Sequence, residues 1–241
     1  MTDGPPTVRR RALVVGAARG IGLATALRLS ADGHDVTATW NRTPPPKTGA
    51  ADLSWARCDT TDPASVDALF DGASDRPFEI VVANAAVLRD RLSSRLTDED
   101  FAAVIDVNLL GTFRIARAAL QPMVAARWGR VVLVSSVGGW IGIPGQASYA
   151  ASKAGLLGMA RSLASEVARR GVTVNVVAPG PITTELIEGM APRLQDRFLD
   201  QAPAGRMGEP DEVAATIAYL ASERSGAITG ALVPVDGGVL A

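Results

Sequence analysis

The sequence predicts a doubly wound α/β domain on a parallel sheet, and three observations carry that prediction. Valine-rich apolar runs of strand length recur between segments of helical spacing, and they lack polar alternation, as strands covered on both faces do. A glycine-rich turn follows the first run and opens a helical pattern. The chain has 241 residues, 47% of them hydrophobic, enough for one sizeable core without division into domains.

Taken in order, Ala12 to Val15 reads as the first strand, entered through Arg9-Arg10-Arg11, and Gly16-x3-Gly20-Ile21-Gly22 leads into a helix over Ile21 to Ser30. Val36 to Trp40 is the second strand, and Pro44-Pro45-Pro46 is a stiff surface loop before the third, Leu53 to Arg57. A helical pattern over Pro63 to Phe70 precedes the fourth strand, Ile80 to Ala83, and a longer one runs from Asp98 to Ala126. Val131 to Val134, a helix over Tyr149 to Arg169, Val172 to Val177 and Leu232 to Val235 complete the series. Pro179 to Glu209 departs from the alternation. It is rich in Pro, Gly, Met and charge and lies at the carboxyl end of a strand, so it is expected to be a substrate lid. Residues 1–8 are expected to form a flexible tail ahead of a single domain over 9–241.

A net charge of -1 gives no general attraction to nucleic acid or to an anionic membrane, so neither is an expected partner. Cys58 is the single cysteine and His34 the single histidine, which excludes an internal disulfide and a zinc cluster. Both suit a metal-free enzyme of a reducing cytoplasm. The arginines at 9–11 resemble the start of a signal peptide only briefly, because Gly16 and Arg19 break the apolar run behind them. Positions 131 to 152 hold no charged residue, yet Ser135, Ser136, Gly138, Gly139, Pro144 and Gln146 make them too polar for a membrane span. A charge-free stretch of this kind is expected beside a cofactor.

The chemistry concentrates in Gln146-Ala-Ser-Tyr149-Ala-Ala-Ser-Lys153, with Ser136 thirteen residues before the tyrosine. On a helix, residues four apart share a face, and an ammonium beside a phenol of ordinary pKa ~10 favours the phenolate. That pair is expected to exchange a proton near neutrality. Glycines at 16, 20 and 22 let the backbone approach a dinucleotide pyrophosphate at the helix N-terminus. A hydride carrier beside a proton donor implies carbonyl reduction or its reverse.

The second strand ends in Thr39-Trp40-Asn41-Arg42 with no acid, and Asp35 stands at its other end. With Arg19 at the helix start, this favours the 2′-phosphate of NADP over NAD. Asp59, after the third strand, either accepts a hydrogen bond from the adenine amino group or merely opens a turn. Asn108 lies in the apolar run Val107-Asn-Leu-Leu110, where helix propensity explains it poorly, so an interior polar role is expected.

These motifs, with Asn84-Ala85 and Pro179-Gly180 in the same order and spacing, resemble the short-chain dehydrogenase/reductase family across nearly the whole chain. The resemblance implies a Rossmann-like domain in which Tyr149 donates the proton and Ser136 holds the substrate oxygen. Lys153 would bind the nicotinamide ribose and lower the tyrosine pKa, and Asn108 would hold a water of the proton relay. The cofactor would be held by Gly16, Arg19, Gly20, Ile21, Gly22, Asn41, Arg42, Asp59, Asn84, Ala85, Tyr149, Lys153, Pro179, Gly180 and Ile182. Two departures from the family pattern bear on cofactor affinity. Val15 replaces a threonine whose hydroxyl ties the first strand to the fourth, and Ala86 puts a methyl group where glycine is usual.

Within the family, Gly129-Arg-Val-Val132, Gly145-Gln-Ala-Ser-Tyr149, Gly171-Val-Thr-Val-Asn-Val-Val-Ala-Pro-Gly180 and Val235-Asp-Gly-Gly238 are similar to the β-ketoacyl-acyl-carrier-protein reductases. That likeness implies NADPH as reductant, an acyl carrier protein as partner docked on Arg127 and Arg170, and a homotetramer paired through the two long helices. A reductase or dehydrogenase of a free ketone, quinone, sugar or alcohol shares much of this wording, and a non-catalytic NADPH-binding regulator is the rival of another class. Phe113, Ala116, Leu156 and Leu163 could serve either the helix pairing or the core.

Overall fold

A computed structural model describes residues 8–46, 53–184 and 202–241. Most of the expected tail, and residues 185–201 of the expected lid, lie outside the described residues. Seven strands form one sheet in the order β3-β2-β1-β4-β5-β6-β7, with every pairing parallel. They are β1 (Arg11–Val15), β2 (Asp35–Trp40), β3 (Ser54–Arg57), β4 (Ile80–Ala83), β5 (Gly129–Val134), β6 (Val172–Pro179) and β7 (Leu232–Val235). All seven expected strands are present, with ends shifted by at most two residues. The strand order reverses between β1 and β4, which opens a crevice at their carboxyl ends.

The valine-rich strands feed one core on each face. Leu13, Val81, Val131 and Val174 face α2 (Pro63–Asp71), α4 (Thr112–Ala126) and α6 (Ala147–Val167), while Val14, Val82, Val132 and Val177 face α1 (Gly20–Ala31) and α7 (Pro210–Ala221). Between them run α3 (Asp98–Ile105) and the short α5 (Gly138–Ile141). Local chemistry starts several helices. Asp62 caps α2 by accepting from Ala64 N–H, and Thr97 caps α3 by accepting from Asp100 N–H. Glu209 and Glu212 form a reciprocal capping box around Pro210.

The single helix expected over Asp98 to Ala126 is broken. Asp106–Gly111 takes π-helical hydrogen bonding between α3 and α4. Two constraints meet there: a Cβ on Gly111 would lie 2.7 Å from Thr60 Oγ1, and the Asn108 side chain is held by another part of the chain. Ala116, Leu156 and Leu163 are buried in the core and Phe113 is half-buried, so the core claims three of the four residues whose use the sequence left open. No helix among the described residues is long and apolar enough to cross a membrane.

Candidate active site

The glycine turn is locked by its neighbours. A Cβ on Gly16 would stand 2.8 Å from Ala85 Cα, and one on Gly22 would collide with the Gly16 carbonyl oxygen. Asn84 Nδ2 donates to that same oxygen (2.8 Å), and its backbone N–H donates to Val15 O (3.2 Å). Both bonds end on main-chain oxygens, so β1 and β4 are tied here without a side-chain hydroxyl at position 15. Thr39 of β2 closes the other side, its hydroxyl accepting from Gly16 N–H (3.2 Å) and its carbonyl from Ala17 N–H (2.8 Å). Sequence reading missed Thr39, which resembles any other strand residue until the register is known.

α1 begins at Gly20 with no acid in its first turn and no side-chain cap at Arg19, which is exposed. Its first amides have no intrahelical acceptor and its dipole favours an anion. A turn without room for a Cβ, opening onto uncapped amides, fits the pyrophosphate of a dinucleotide.

Arg42 is exposed and Asn41 half-buried beyond the end of β2, but that end is not free of acid. The parallel register of β2 with β3 brings Asp59 alongside. Thr61, through its hydroxyl and its amide, together with the Asn41 side chain and the Arg42 charge, holds the Asp59 carboxyl below its usual range. Asp59 Oδ1 accepts from Thr61 Oγ1 (2.7 Å) and Thr61 N (3.0 Å), so the turn-opening use is present in the structure. β2 itself supplies no acid there, as expected; the carboxylate beside its end belongs to Asp59, beyond β3.

A cleft lies beyond the carboxyl ends of β1, β4, β5 and β6, lined among others by Ile21, Asn84, Ser136, Tyr149, Lys153, Gly180 and Ile182. The methyl group of Ala86 also faces it. β5 delivers Ser136, and α6 presents Tyr149 and Lys153 one turn apart on the face turned to the sheet. Ser136 Oγ accepts from Gly138 N–H (3.1 Å), and its hydroxyl also reaches the Tyr149 phenol. Lys153 is 3% exposed, and its Nζ donates to Val134 O (2.8 Å). Ser135 Oγ fixes the same turn of α6 by donating to Lys153 O (2.8 Å).

Burial lowers the Lys153 pKa to about 8. Tyr149 departs from expectation. Burial raises its pKa, the nearby Ser136 hydroxyl offsets this in part, and the Asp90 charge adds to it. Lys153 Nζ stands 5.7 Å from the Tyr149 ring centroid and spends a donor on Val134. The phenol therefore holds its proton more firmly than an exposed tyrosine does, where the sequence predicted a looser hold.

Asn108 is fully buried, with its side chain engaged on all sides. Oδ1 accepts from Val87 N–H (2.8 Å), and Nδ2 donates to Val87 O (3.0 Å) and Ser152 Oγ (3.1 Å). Ser152 Oγ in turn donates to Tyr149 O (2.7 Å), so the π segment is stitched to the helix that carries the tyrosine. The two arginines assigned to carrier docking are elsewhere. Arg127 ends α4 and Arg170 precedes β6, exposed and close together through Arg127 Nη2 and Arg169 O (3.4 Å), at the end of the sheet opposite Ser136 and Tyr149.

Comparison with known proteins gives the family. A family model described as enoyl-(acyl carrier protein) reductase matches residues 16–240. The 3-oxoacyl-[acyl-carrier-protein] reductase MabA of Mycobacterium tuberculosis is 46% identical over 237 residues, covering 98% of this chain and 94% of its own length. FabG of Escherichia coli, which bears the same enzyme name, is 41% identical over 238 residues, 95% of this chain and 96% of its own. FabG of Salmonella typhimurium is 40% identical over the same span.

Proposed function

The chain belongs to the short-chain dehydrogenase/reductase family, oxidoreductases that work with a nicotinamide dinucleotide, and from that membership we propose that it reduces a β-ketoacyl thioester carried on an acyl carrier protein, using NADPH. The observation that carries the reading is the convergence of the Ser136 and Tyr149 hydroxyls, backed by Lys153, on one cleft beside the locked glycine turn. The relatives' names supply the substrate class.

Gly16, Gly20, Ile21 and Gly22 would seat the pyrophosphate, and Asn84, Ala85, Pro179, Gly180 and Ile182 would help to hold the dinucleotide. Arg19, Asn41 and Arg42 would meet the 2′-phosphate, and Asp59 would accept from the adenine amino group. A reduced nicotinamide held there would supply the hydride. As charge gathers on the substrate oxygen, the Ser136 hydroxyl holds it by a hydrogen bond and Tyr149 transfers its phenolic proton to it. The Lys153 ammonium, buried behind the tyrosine, lowers the cost of the phenolate that forms. Asn108, whose side chain is taken up by Val87 and Ser152, keeps the Tyr149 helix in register. A proton donor that stays protonated at neutrality suits the reductive direction.

The matching family description names the reduction of an enoyl thioester instead. That chemistry ends with a proton on carbon, whereas Ser136 and Tyr149 offer two donors suited to one oxygen. Assaying NADPH oxidation with acetoacetyl and crotonyl thioesters, carrier-bound and carrier-free, separates the readings. The β-ketoacyl substrate should turn over and the enoyl substrate should not. Turnover of free ketones alone would return the protein to the broader reductase class.

A further inference from the structure

We propose that the turn Asp236–Leu240 is the end wall of the acyl pocket and that Val239 sets the length of acyl chain the cleft accepts. The proposal rests on the β-ketoacyl thioester reading and names a selectivity within it. Val239 lines the same cleft as Ser136 and Tyr149, together with the apolar side chains of Leu88, Ile141 and Ile143. Leu88, Ile141, Ile143 and Val239 present no polar atom to a chain laid along them, so this part of the lining, which Gln146 and Thr184 border, measures length through apolar contact.

The wall is rigid for reasons that lie in the sequence. Gly180 N–H donates to Val235 O (3.0 Å), and a Cβ on Gly180 would stand 2.6 Å from Asp236 Cα, so the ends of β6 and β7 are pressed together. The chain then turns through Gly237 (φ 64°) and Gly238 (φ 92°), conformations that other residues rarely adopt. The Asp236 carboxylate spans the turn, Oδ1 accepting from Gly238 N–H (2.9 Å) and Oδ2 from Leu240 N–H (2.9 Å). From the other side, Ala204 N–H donates to Gly237 O (2.9 Å). Val239 is held between two clamped amides, and Asp236 is its positioning residue.

The test measures kcat/KM on β-ketoacyl N-acetylcysteamine thioesters of increasing chain length. Each methylene that gains apolar contact should raise kcat/KM by up to about fourfold, until the chain meets the wall and the rise stops. Val239→Phe should move that break to a shorter chain and Val239→Ala to a longer one, with KM for NADPH unchanged. Asp236→Ala should blur the break, and Asp236→Asn, which keeps one oxygen acceptor, should restore part of it. A break at the same length in all variants would overturn the proposal. So would a rise in KM for NADPH shared by every chain length, because Val239 would then border the cofactor. A wild type that reduces none of the series would overturn the substrate reading and this proposal with it.

Discussion

Tyr149 must give up a proton in an environment that discourages the phenolate, which makes its loss measurable apart from binding. Tyr149→Phe keeps the ring and should leave NADPH affinity within about twofold while lowering kcat by roughly 10²–10⁴-fold. A near wild-type rate would remove the tyrosine from the mechanism. Lys153 adds a pH dependence whose sign follows from its depressed value. Between about 8 and the ordinary 10.5 the unfolded chain holds this proton more tightly than the folded one, so the cost of burying the ammonium is complete below about 8 and is relieved as pH rises through that window. Catalysis runs the other way. The cofactor-free enzyme should lose kcat/KM for NADPH above pH about 8 as the ammonium is lost, and a profile flat to pH 10 would place the charge elsewhere. Helical spacing made the pair legible in the sequence, but the direction of the Tyr149 shift was not, because Val134 O and Asp90 are set by the fold. The same holds for cofactor choice. Arg19→Ala with Arg42→Ala should weaken NADPH by roughly tenfold per lost charge-assisted bond and leave NADH nearly unaffected. A wild type that prefers NADH would show that the arginines do not decide the site.

At the scale of elements, the strands were legible because a parallel sheet covered on both faces has one composition along each strand. The break in the long helix was not. Its cause joins residues 21 and 44 positions apart, Asn108 with Val87 and with Ser152, and no local pattern announces such partners. Those bonds predict a structural effect of an unusual kind for a residue so near the chemistry. Asn108→Ala leaves the part-buried Val87 N–H and C=O without their partners, at a cost of roughly 1–3 kcal/mol, which should lower Tm by roughly 3–8 °C. Because Ser152 links Asn108 to the Tyr149 turn, kcat should fall as well. A large loss of kcat with unchanged Tm would mean that the side chain serves the proton relay and that its bonds to Val87 are replaceable.

Across the whole molecule, the sheet separates two ends with different tasks. Ser136 and Tyr149 lie past the carboxyl ends of the strands, while Arg127 and Arg170 sit before the amino ends of β5 and β6. A strand of six residues spans ~20 Å, so a carrier protein docked on these arginines stands far from the hydroxyls of the same chain. A net charge of -1 still leaves local basic patches as the means of recruiting an acidic carrier. Arg127→Glu with Arg170→Glu should therefore slow reduction of carrier-bound substrate, and the loss should shrink as salt shortens the Debye length from ~30 Å at 0.01 M to ~10 Å at 0.1 M. Reduction of a short carrier-free thioester should be unchanged, and equal losses on both substrates would assign the arginines to the fold. The proposed homotetramer offers a second geometry, in which the patch of one subunit serves the cleft of another. Mixed oligomers decide between them. A Tyr149→Phe subunit keeps its patch and lacks a working site, and the double-Glu subunit keeps its site and lacks the patch. If docking serves the neighbour, co-assembly should recover activity on carrier-bound substrate beyond the sum of the two pure variants, and if each patch serves its own cleft, mixing should recover none.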